Sequence, residues 1–180
     1  LTRNHGYCKH TNTATQTSLY FAGDEGILVF TTPFNRNEKW GMEKILDTPT
    51  SDLAVIDLDN DGCAEIITIE PFHGNNLCIY QKQNDRYVKV YQSPYQRTFF
   101  HALKGGFLNN RPVVIVGCRS GKKELLCIEY DDTNRCYTET VIDEGGGPAN
   151  VEIINHNGTD VIAVSNHFAN EAVIYTVNNK

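Results

Sequence analysis

The sequence predicts an all-β chain in which one sheet motif is repeated four times. Three observations predict it. Short β-rich runs alternate with turn signals, no stretch of about ten residues repeats apolar positions at helical spacing, and the whole pattern recurs. Its starts, at His5, Asp52, His101 and Asn150, are spaced by 47, 49 and 49 residues.

The runs, in chain order, are SLYFAG, GILVF, LAVIDLD, EIITIE, LCIYQ, YVKVYQ, PVVIVG, LLCIEY, VEIIN, DVIAVSN and AVIYTV. Val, Ile, Tyr and Phe dominate them, as suits a pleated, half-buried surface. Turn signals such as DG, HGNN, SG and NG separate them. Each unit reads as a first strand, a polar turn, an apolar second strand, a second turn and a third strand. MEKIL, YVKVY and YTETVI add a fourth strand to the first three units. Four strands in just under 50 residues make the blade of a β-propeller. The blades are expected over about residues 3–47, 51–92, 98–142 and 148–177 of one domain. A blade cannot bury both faces alone, so each packs on its neighbours around an axis.

The fourth unit stops after AVIYTV, with only Asn178, Asn179 and Lys180 beyond it. Its outer strand is missing, and nothing before the first unit can replace it. Two readings stand. The chain is the C-terminal part of a propeller of roughly six to eight blades, or it is an irregular four-bladed ring. In the first case the open faces meet the rest of that propeller or a second chain.

Composition narrows the function classes. The net charge of −6 over 180 residues, with no basic patch, argues against nucleic acid. No apolar run reaches the length that spans a bilayer. The chain opens LTRNHGYCKH, with neither methionine nor signal-peptide pattern, as a processed or shortened chain would. The compartment, cytoplasmic or secreted, stays open. Six cysteines include no C-x-x-C pair, which argues against a zinc knuckle. Cys78 and Cys127 lie inside LCIY and LCIE and read as buried, reduced hydrophobes. Asn157-Gly-Thr159 is a formal glycosylation acceptor, meaningful only in a secreted protein.

The densest acidic stretch is DLDNDGCAE, residues 57–65, between the first two strands of the second unit. Asp57, Asp59 and Asp61 alternate, Gly62 permits the turn, and Glu65 follows four positions after Asp61. Calcium takes six to eight oxygens, and such a turn offers several carboxylates with backbone carbonyls. Asp57, Asp59, Asp61 and Glu65 are therefore candidate ligands for calcium or another divalent cation. An EF-hand is excluded, since position twelve is Thr68 and no helices flank the loop. The other reading is an Asx-type turn without metal.

LAVIDLDNDGCAEIITI resembles the repeat of FG-GAP or VCBS-type β-propellers, which carry D-x-D-x-D-G-x-x-[DE] between the first two strands of a blade. The resemblance implies calcium at that turn. It covers about a quarter of the chain. The equivalent turns KGGFLNNRP and NHNGTD lack the acidic set, so at most one such site is implied. ITIEPFHGNNLCIY is similar, more loosely, to propeller domains of sugar lyases and dehydratases of the aldos-2-ulose dehydratase kind. That similarity implies a carbohydrate-processing context and a divalent metal.

Propeller geometry places the start of every innermost strand near the axis on one face. The turn between second and third strands returns there. The first column is His5, Asp52, His101 and Asn150; the second is Glu25, Phe72, Arg119 and His167, with His73 beside Phe72. The expected ligand-binding set is His5, Asp52, His101, Asn150, Arg119 and His167. Histidine serves as metal ligand or as acid and base near neutral pH, and arginine pairs with an anion in bidentate fashion. The candidates for catalysis are His5, His73, His101 and His167 as bases, with Arg119 steadying an oxyanion. Taken singly, each of these residues also reads as a partner for backbone groups of the neighbouring blade. GGGPAN, residues 145–150, is no phosphate loop, and no G-x-S-x-G occurs. Two functions fit: a binding module directed at a carbohydrate or small ligand with a cation, or a metal-assisted sugar lyase, dehydratase or isomerase.

Overall fold

A computed structural model describes residues 1–14 and 16–177. The described residues form fifteen strands and no helix; none is therefore a helix long and apolar enough to cross a membrane. The first sheet comprises β1 (Tyr7–Thr13), β2 (Gln16–Gly23), β3 (Gly26–Thr31) and β4 (Gly41–Leu46). The second comprises β5 (Asp52–Ile56), β6 (Glu65–Glu70), β7 (Asn76–Gln83) and β8 (Arg86–Gln92). The third comprises β9 (Phe100–Leu108), β10 (Arg111–Cys118), β11 (Leu125–Asp131) and β12 (Cys136–Asp143). The fourth has β13 (Pro148–His156), β14 (Thr159–Asn166) and β15 (Glu171–Thr176). Every sheet is an antiparallel meander in chain order, and the four are the blades of a β-propeller. The fourth blade has three strands; residues 178–180 lie outside the described residues.

The period-two alternation of side chains explains how a blade serves two neighbours. All six residues of β6 are buried. Ile66 packs toward the first blade with Ile27, Leu53 and Tyr80, whereas Ile67 and Ile69 pack toward the third with Phe100, Val114 and Val116. On β10, Val113 and Ile115 turn instead toward the fourth blade, meeting Ile162 and Val164. Three cores thus join blades one to two, two to three and three to four. Among the described residues none joins the fourth blade to the first. The outward face of the first blade carries Leu19, Phe21, Leu28, Phe30 and Trp40 around an apolar hollow, and Ile174 on the last strand is 61% exposed.

Close approach between neighbouring blades needs glycine at positions 6 and 117. A Cβ on Gly6 would lie 2.7 Å from the Asp52 Cα, and one on Gly117 would lie 2.6 Å from the Pro148 Cβ. The six cysteines are free, and Cys78, Cys118 and Cys127 are buried. Burial pushes the Cys78 thiol up to about 11 and those of Cys118 and Cys127 to about 12, which keeps all three protonated.

Buried charge is confined to hydrogen-bonded clusters between strands. Glu70 accepts from Thr68 Oγ1 and Tyr80 Oη at 2.7 Å each and from Lys89 Nζ at 3.2 Å. Arg97 sits between Glu124 and Glu139 and bonds to both.

Candidate functional site

Antiparallel pairing brings the starts of β1, β5, β9 and β13 to one end of the blades. The turns at 24–25, 71–75, 119–124 and 167–170 return to that end. There three imidazoles from three blades converge. One ring nitrogen from each of His5, His73 and His101 lies within 4.8 Å of the others. His5 Nε2 and His73 Nε2 are 3.5 Å apart, and the His73 and His101 ring centroids are 4.8 Å apart. His5 precedes β1, His73 rides the β6–β7 turn, and His101 lies on β9.

The surroundings are aromatic and carry two guanidinium groups, one of which, that of Arg3, is paired with Asp24 at 2.8 Å. Phe72 stacks on His73 at 4.1 Å, and Phe99 meets His73 edge-on at 4.9 Å. The Arg3 guanidinium lies 5.3 Å from the Phe72 ring centre, and that of Arg119 lies 5.2 Å from the Phe99 ring centre. The Arg119 Nε is buried and makes no hydrogen bond. His73 and Phe99 both hold left-handed backbone, with φ of 48° and 60°. For a bulky side chain that conformation costs roughly 1–2 kcal/mol, and such cost concentrates at functional sites.

The electrostatics follow from the crowding. Burial first, then the charges of His101, His5 and Arg119, push His73 down to about 4, so it is neutral at neutral pH. His101 is also held below the ordinary histidine value, chiefly by burial and against the opposing pull of the Ala149 carbonyl. His101 Nδ1 lies 2.9 Å from that carbonyl oxygen. A carbonyl only accepts, so Nδ1 carries the hydrogen and the lone pair stands at Nε2.

His5, His73, His101 and Arg119 are brought together, and the exposed His167 stands near enough to weigh on His101. Asp52 and Asn150 are not in this group. The reason is a bulge. Phe100 pairs with Cys118 and Ala102 with Gly117, which leaves His101 as the extra residue of β9. In the fourth blade Pro148 pairs with Asn166 and Asn150 with Ser165, so the extra residue is Ala149. His101 therefore lines up with Ala149, whose carbonyl it bonds, and not with Asn150. A slip of one residue sends a side chain to the opposite face. Asn150 is exposed beside Val151, Ser165 and Ala172 in a shallow depression on the fourth blade. Asp52 pairs with Ile69 in unbroken register. Its Oδ1 accepts from the Leu53 amide at 2.9 Å, and burial raises its carboxyl to about 7. Glu25 turns to the N-terminal segment, accepting from the Thr2 amide and hydroxyl. Arg3 and Phe99 also belong to this rim; each stands two residues before a column residue, at the position where the other two units carry Thr50 and Pro148, a column that the candidate set did not include.

The acidic turn lies at the opposite end of the second blade. Asp57, Asp59 and Asp61 place one oxygen each within 4.8 Å of one another. Asp57 accepts from the Asp61 and Gly62 amides, and Asp61 from the Cys63 amide. Glu65 does not join them. It is 1% exposed, accepts from the Leu58 amide at 2.7 Å, and faces Gln81 and Tyr137 between the blades.

No protein family and no curated protein matches this sequence. Among solved structures, a chain of the yeast heterotrimeric Nup82–Nup159–Nup116 nucleoporin complex is similar over 74% of this chain at 14% identity, with a TM-score of 0.49. The similarity spans 36% of that longer chain.

Proposed function

We propose that the chain is a binding module whose axial rim takes an anionic small ligand of the acidic-sugar class, with a divalent cation as cofactor. One observation carries the reading: imidazoles from three blades converge beside Arg119, with no carboxylate among them. A guanidinium whose Nε has no partner is suited to a carboxylate, which satisfies it in bidentate fashion. Phe72 and Phe99 supply flat apolar walls against which a sugar ring can lie. Calorimetry with a uronate and its neutral parent sugar tests this. The uronate binds at least ~10-fold more tightly, a difference of about 1.4 kcal/mol, and Arg119→Gln abolishes the preference. Equal affinities, or no binding of either, would overturn it.

The second blade is, on the same reading, an FG-GAP or VCBS-type repeat holding calcium at Asp57, Asp59 and Asp61. Each carboxylate keeps lone pairs beyond those engaged by backbone amides. Calcium raises the melting temperature, and Asp59→Asn removes the rise; a calcium-insensitive melt refutes the site.

A catalytic reading has its own support in His167, an exposed imidazole outside the three-histidine group and near enough to weigh on His101. Such a base abstracts the proton next to a uronate carboxylate held by Arg119, the first step of lyase chemistry. Accumulation of an unsaturated product, lost in His167→Ala, separates an enzyme from a binding module.

A further inference from the structure

We infer that His5, His73 and His101 form a three-imidazole centre for a divalent metal of the zinc class, with a coordination position left open toward the rim. The inference rests on the proposed binding role only in what fills that open position. The metal set stands on its own geometry.

In a tetrahedral zinc site with Zn–N near 2.0–2.1 Å, two ligand nitrogens are about 3.3–3.4 Å apart. His5 Nε2 and His73 Nε2, 3.5 Å apart, already hold that edge. The third nitrogen, on His101, lies within 4.8 Å of the other two. The tautomer of His101 is the one a metal requires. Its Nδ1–H is spent on the Ala149 carbonyl at 2.9 Å, which leaves Nε2 free and fixes the ring plane, as backbone carbonyls do for metal-bound histidines.

The donor chemistry selects the ion. Three nitrogens with no carboxylate suit zinc, cobalt, nickel or copper, whereas calcium and magnesium demand oxygens. The calcium proposed at the aspartate turn is thus a separate site at the other end of the blade. Three protein ligands leave a tetrahedral ion one open position. Arg119 stands beside the cluster, so an anionic oxygen on the metal would also meet the guanidinium.

The test uses the whole chain, stripped with a chelator and titrated with ZnCl2, then CoCl2, by calorimetry and visible absorption. One equivalent of either ion binds, and cobalt gives the intense bands of a four- or five-coordinate nitrogen site. His5→Ala and His101→Asn each weaken binding at least ~10-fold, while His156→Ala, which removes an exposed imidazole at the far end of β13, leaves it unchanged. His5 is exposed, so its replacement removes a ligand without opening the core. Matching melting curves for metal-free wild type and metal-free variants confirm that the fold is intact. Absence of a heat with both ions, or affinity retained in both histidine variants, overturns the centre. Uronate binding by chelated protein with no zinc uptake sinks this inference and leaves the binding role standing. Zinc uptake without uronate binding does the reverse.

Discussion

Replacing Arg97 by methionine tests whether buried charge fastens the second blade to the third. Arg97 is 8% exposed in the segment between β8 and β9. Its Nε donates to Glu124 Oε2 at 2.7 Å, and its Nη1 donates to Glu139 and, at 3.3 Å, to Ser93 Oγ. Glu139 also accepts the Tyr91 hydroxyl of the second blade at 2.8 Å. Methionine preserves much of the length and removes the only cation bonded to either carboxylate among the described residues. Stripping one partner from a buried ion pair costs about 3–5 kcal/mol, because the remaining charge has nothing to offset its desolvation. Two carboxylates left facing each other cannot both ionise freely, so one of them titrates above its unfolded value in the variant. A carboxylate raised on folding makes stability fall as pH rises through that range. The deficit is therefore smaller at pH 5 than at pH 8. Urea unfolding followed by tyrosine and Trp40 fluorescence at both pH values measures it, with Arg97→Met/Glu124→Gln/Glu139→Gln recovering most of the loss. A deficit below about 1 kcal/mol, or one that ignores pH, would refute the reasoning.

Asp52→Asn is expected to stabilise the protein above pH 7, since Asp52 is raised from the ordinary 3.8 to about 7 by burial. That raised carboxyl lets stability drain away as pH climbs from about 4 to 7. Its ceiling is ~4 kcal/mol at 1.36 kcal/mol per pH unit, and ~1–2 kcal/mol is the expected value for a group that keeps some contact with water. Thermal melts of both proteins at pH 5 and pH 8 read the difference. Gly6→Ala drives a methyl into the Ser51–Asp52 backbone, costing roughly 1–3 kcal/mol and weakening zinc uptake, because His5 is next in the chain. Ile67→Ala in the core between blades two and three costs about 2–5 kcal/mol in urea unfolding; a loss comparable to that of an exposed valine such as Val88 would show that this core does not carry the fold.

The repeat was legible because strands advertise themselves by alternation and by what interrupts them. EIITIE reads as an unbroken apolar run because both its faces are covered, and YVKVYQ reads as alternating because β8 lies at a blade's outer edge. Even the histidine cluster follows from counting along the repeat. The bulge at His101 does not. Whether the extra residue is His101 or its neighbour depends on hydrogen bonds between β9 and β10, and a column drawn by spacing alone slips by one at Asn150. Glu65 stands apart from the aspartates for a related reason. Its place in an acidic motif suggests a ligand, yet it is the first residue of β6, and the pleat turns it inward to Gln81 and Tyr137. Arg97, Glu124 and Glu139 are far apart in the chain, and nothing local announces that they meet.

Among the described residues the first and fourth blades are each gripped on one side only, so in this chain thermal opening should begin there and reach the middle pair last. Amide exchange would then run as a gradient, quick in β15 and slow in β6 and β10. His5 hangs on the loosely held first blade, whereas His73 and His101 belong to the well-clamped inner ones. An ion shared by all three would act as a rivet, and its arrival should slow exchange across the first blade far more than across its neighbours.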